Sequence, residues 1–66
     1  MLIDHLRQLV ERGNLSADDS YQATREIMSG NEDSTIIASY LTALRLRGET
    51  PQELAGTACA MREYAV

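Results

Sequence analysis

Arg45, Arg47, Glu49 and Glu53 fall inside the stretch ALRLRGETPQELAG, residues 43–56. Two guanidiniums that converge can clamp an anion, and carboxylates beside them can hold or move a proton. Elsewhere, His5 stands near Asp4 and Glu11, and an imidazole can act as acid, base or metal ligand. Cys59 lies three residues before Arg62, and a cation beside a thiol favours the nucleophilic thiolate. The groups Asp18-Asp19 and Glu32-Asp33 carry hard oxygens of the kind divalent cations prefer. Gly56-Thr57-Ala58 has a faint likeness to a phosphate loop.

The spacing favours a structural role for each. His5 has no second histidine and no placed nucleophile, which leaves it as a surface or partly packed side chain. Cys59, set among Ala58, Ala60 and Met61, reads as a buried small hydrophobe. Both acidic groups precede apolar periodic runs, where they cap helices and meet the positive end of the dipole. Gly56 sits inside a helical run, not before one, so its expected role is close helix packing. Arg45 and Arg47 fall in the last turn of a helix, where cations are favoured without any ligand; they are kept as candidates for an anion or inter-domain contact. No catalytic, cofactor-binding or metal-binding residue is assigned.

The elements follow from the periodicity. Leu2, Ile3, Leu6, Leu9 and Val10 share one face of a first helix, about residues 2–12, that stops at Gly13-Asn14. Ser16 caps a second, 17–29, with Tyr21, Thr24, Ile27 and Met28 inward and Gly30 as the left-handed stop. Asp33 caps a third, 34–47, whose residues Ile36, Ile37, Ala38, Tyr40, Leu41, Ala43, Leu44 and Leu46 give it the broadest apolar surface. A helix apolar on more than one side is expected at the centre of a bundle. Gly48 ends it. Thr50-Pro51-Gln52-Glu53 then forms a capping box with proline at the first helical position, opening a fourth helix, 51–64, with Leu54, Ala55, Ala58, Met61 and Ala65 facing a neighbour. The expected fold is all-α, a small four-helix orthogonal bundle forming one domain over residues 1–66.

Composition narrows the partners. Ten acidic residues stand against six arginines, giving a formal charge of −4, which argues against nucleic acid and anionic membranes. One cysteine and one histidine exclude an intrachain disulfide and a Cys/His metal cluster. No apolar run approaches a membrane span, and the charged start is unlike a signal peptide, so a cytoplasmic protein is the default. At 66 residues, folding hides only about 60% of the surface of the unfolded chain, so self-association or a neighbouring domain is expected.

From Leu15 to Glu63 the chain resembles the N-terminal helical domain of the anthranilate phosphoribosyltransferase family. The likeness rests on Leu15-Ser16, Ile27-Met28-Ser29-Gly30, the corner from Ala43 to Pro51, and Ala60-Met61-Arg62-Glu63. The helical module of pyrimidine nucleoside phosphorylases is similar, with a less similar corner, and ranks second. An autonomous helical interaction or dimerisation module is the alternative of a different class. The resemblance implies a homodimer, a hinge to a larger C-terminal α/β domain, and phosphoribosyl transfer to anthranilate in tryptophan biosynthesis by the full enzyme. It also implies that the pyrophosphate loop and the magnesium-binding acids belong to that missing domain, with no cofactor held by these 66 residues. Asp33 and Ser34 replace the family's usual serine or threonine and proline while keeping the cap. Ile36 replaces a common polar residue. An extra apolar side chain there can face a partner, which makes Ile36 a candidate interface residue, alongside Leu6 and Tyr40.

Overall fold

Glycines and caps divide the chain into four helices in the computed structural model, which describes residues 1–65. They are α1 (Leu2–Arg12), α2 (Ala17–Met28), α3 (Ser34–Arg47) and α4 (Pro51–Tyr64), with no strand among the described residues. The second helix ends one residue before its expected limit, as Ser29 becomes its C-cap. Gly13 adopts the left-handed conformation, φ 84°, that a side chain would strain, and its N–H donates to the carbonyl of Leu9. Short polar side chains open the later helices. The Ser16 hydroxyl accepts the Asp19 N–H at 3.0 Å, and the Asp33 carboxylate accepts the Thr35 N–H at 2.7 Å. The Thr50 hydroxyl accepts the Glu53 N–H at 3.1 Å while the Glu53 carboxylate accepts the Thr50 N–H at 2.9 Å.

Thr50→Ala removes one half of that reciprocal cap and is expected to cost about 1 kcal/mol. The measurement is the urea midpoint, which should fall at unchanged slope. An unmoved midpoint would contradict the cap.

Leu2, Leu9, Leu15, Ala23, Tyr40 and Leu44 form the buried cluster, with Leu6, Ile27, Ile36, Ile37 and Ala43 half-buried around it. Leu2 and Leu9 lie two turns apart on α1, and Tyr40 and Leu44 one turn apart on α3, so each helix contributes one stripe.

The expected centre of the bundle is corrected. α2 and α4 form the most extensive pair, and α3 packs chiefly on α1. The outer side of α3 stays open, with Leu41 51% and Leu46 85% exposed and Ala38 also exposed. The expected face of α4 is corrected too. Leu54, Ala55, Ala58, Met61 and Ala65 are exposed, while Glu53, Gly56 and Ala60 are buried. Val10 and Met28 likewise point outward. The physical reason is close approach. A Cβ on Gly56 would lie 2.1 Å from the Ala17 carbonyl oxygen, so the α4 backbone rests directly on α2, as the expected packing role of Gly56 requires. Ser20 donates to the Glu53 carbonyl at 2.7 Å and shares a hydrogen bond with Thr57 at 2.9 Å, while Thr24 donates to the Ser20 carbonyl at 2.9 Å.

Candidate functional site

Glu53 is the most heavily engaged charged residue of the corner between α3 and α4. Position three of α4 points it inward, where it is 1% exposed. Its carboxylate accepts the Leu15 N–H at 2.7 Å and the Thr50 N–H at 2.9 Å, and it pairs with the Arg47 guanidinium. Burial pushes the Glu53 pKa up. The Arg47 hydrogen bond and the amides of Thr50 and Leu15 outweigh that and hold it below the ordinary glutamate value. An ionised carboxylate therefore joins the end of α3, the start of α4 and the residue before the cap of α2. The capping box was legible in the sequence; the reach to Leu15, 38 residues away, was not.

The same arrangement separates the two arginines kept as candidates for an anion or inter-domain contact. Arg47 turns to Glu53 and is neutralised there, whereas Arg45 is exposed at the rim of a groove. The groove, about 380 Å³, runs between α2, α3 and α4 and is walled by Ile27, Met28, Tyr40, Leu41, Leu44, Leu54 and Met61. Four of its walls, Met28, Leu41, Leu54 and Met61, are between 38% and 55% exposed. Reading each helix alone placed these side chains in the core, so their convergence on one open surface went unseen. The available signal was the seven-residue spacing of Leu54 and Met61, which puts both on one side of α4, opposite Gly56 and Ala60.

The candidate interface residues separate. Leu6 and Ile36 are half-buried against the core cluster and keep some exposed surface. Tyr40, 1% exposed, is buried within the chain, which corrects its assignment as a surface for a partner. The Tyr40 hydroxyl is buried without a hydrogen-bond partner. Burial, followed by the negative charge of Glu53, raises its pKa to about 12.

The sign of the pH effect follows. Between the unfolded value of about 10 and the folded value of about 12, the unfolded state loses a proton that the folded state keeps. Stability is therefore expected to fall over that window by about 1–2 kcal/mol. Denaturant unfolding of the wild type and Tyr40→Phe at pH 9 to 11.5 checks this, since the substitution should flatten the alkaline decline.

The remaining candidates behave structurally. His5 Nε2 lies 3.2 Å from Glu26 Oε1, and the Met1 amino group lies 3.0 Å from Glu26 Oε2, tying α1 to the end of α2. His5 is partly packed, as expected. Cys59 is exposed, correcting the buried reading, because burying Gly56 and Ala60 turns position 59 outward. The Asp19 carboxylate accepts from Gln8 Nε2 at 2.8 Å and from the Ser16 N–H at 3.5 Å, and the Gln8 hydrogen bond leads the causes that lower its pKa. Among the described residues, no three His, Cys, Asp or Glu side chains converge as metal ligands would. No helix of the described residues is long and apolar enough to cross a membrane.

Comparison with known proteins adds the following. The helical bundle domain of a glycosyl transferase family matches residues 3–65. The anthranilate phosphoribosyltransferase of Lachnoclostridium phytofermentans is 42% identical over 66 residues, covering 100% of this chain and 20% of the relative. That of Deinococcus radiodurans is 56% identical over 52 residues, covering 79% of this chain and 15% of the relative. That of Pyrococcus abyssi is 43% identical over 61 residues, covering 92% of this chain and 18% of the relative. The chain thus spans about a fifth or less of the length of these relatives. No solved structure matches.

Proposed function

We propose that this chain, which belongs to the glycosyl transferase family as its helical bundle domain, is the N-terminal helical domain of an anthranilate phosphoribosyltransferase. The observation that carries this reading is the match along 100% of the chain to a relative of that name at 42% identity. In the complete enzyme, phosphoribosyl pyrophosphate would give its phosphoribosyl group to anthranilate, a cytoplasmic step in tryptophan biosynthesis. The domain would support a homodimer and form one wall of the cleft that closes over substrate. The pyrophosphate and its magnesium would be held by the larger α/β domain. In this chain Arg47 is paired with Glu53, Asp19 and Asp33 serve helix caps, and Glu26 pairs with the Met1 amino group and His5. Supporting the domain role is the open apolar surface of α3 and α4, which a 66-residue body in isolation leaves in water.

The test is a chimera in which these residues replace the corresponding segment of the Lachnoclostridium phytofermentans enzyme. Expected is a dimer in sedimentation with anthranilate-dependent consumption of phosphoribosyl pyrophosphate, and no turnover by the 66 residues alone. A folded, dimeric but inactive chimera would overturn the cleft-wall role. The apolar groove also favours a second reading, an autonomous interaction module. A chimera that folds only as a monomer, while the free chain self-associates, would favour that instead.

A further inference from the structure

We draw no further inference here: the strongest candidate, the open apolar groove between α2, α3 and α4 walled by Met28, Leu41, Leu54 and Met61, carries nothing because nothing in the structure shows what covers it.

Discussion

Glu53→Ala is expected to remove a large part of the stability of the chain at 25 °C. Three donors meet at this carboxylate: the amides of Leu15 and Thr50 and the Arg47 guanidinium. Alanine leaves both amides without their acceptor and strands the guanidinium of Arg47, whose side chain is 26% exposed. Removing one partner of a buried, hydrogen-bonded pair costs about 3–5 kcal/mol, because the penalty falls on the groups left behind. Stabilities near 0.05–0.15 kcal/mol per residue give a 66-residue chain roughly 3–10 kcal/mol in total. The loss is thus about half of the middle of that range. Circular dichroism at 222 nm with urea titration checks it; a midpoint within experimental error of wild type would show that the three-way junction contributes little.

Two companions locate the source of that loss. Glu53→Gln keeps the shape and can still cap Thr50, since glutamine serves in capping boxes, so its cost should be intermediate. Arg47→Ala leaves the two amide contacts in place, and its cost should also lie below that of Glu53→Ala. The folded-state pKa of Glu53 is depressed, so its contribution is complete above the unfolded glutamate value near 4.5 and is lost as pH falls through the folded one. Acid titration of the wild type should show that decline, and Glu53→Gln should lack this part of it.

The four helices were legible because their ends carry local chemistry. Ser16, Asp33 and Thr50 bond to amides two or three residues away, and Gly13 and Gly48 stop helices through their own backbone conformation. Such signals need no tertiary partner. The packing was less legible, because apolar count is a poor guide when close approach decides. Leu46 and Leu54 looked like core residues by type, yet they are exposed, while Ser20, Thr24 and Gly56 are buried. Hydroxyls that bond to one another or to a carbonyl are inexpensive to bury, and glycine shortens the distance between helices; neither property registers in a hydrophobic pattern. The same limit hid the groove, since Met28, Leu41 and Met61 come from three helices. The role of Glu53 was half visible: Thr50 is local, whereas Leu15 is brought to it only by the pairing of α2 with α4.

That pairing yields the second large effect. Gly56→Ala is expected to destabilise the chain by about 3 kcal/mol, although alanine is the better helix former by about 1 kcal/mol. A Cβ at position 56 would meet the Ala17 oxygen at 2.1 Å, the Tyr21 nitrogen at 2.9 Å and the Ala17 carbonyl carbon at 3.1 Å. All three are backbone atoms in the first turns of α2, so no side chain can rotate out of the way. The helices must separate, and separation stretches the hydrogen bonds of Ser20 to the Glu53 carbonyl and to Thr57, 2.7 and 2.9 Å in the intact pair. A neighbouring position gives the internal reference. Ala55 is exposed, so Ala55→Gly should report helix propensity alone and cost about 1 kcal/mol. Propensity ranks alanine above glycine at both sites, whereas packing reverses the order at position 56. Thermal unfolding of the two variants beside wild type separates these influences: alanine at 56 should lower the midpoint more than glycine at 55. A midpoint raised by Gly56→Ala would mean that α4 does not rest on the backbone of α2, and with it the reason for the outward turn of Leu54, Cys59 and Met61 would fall.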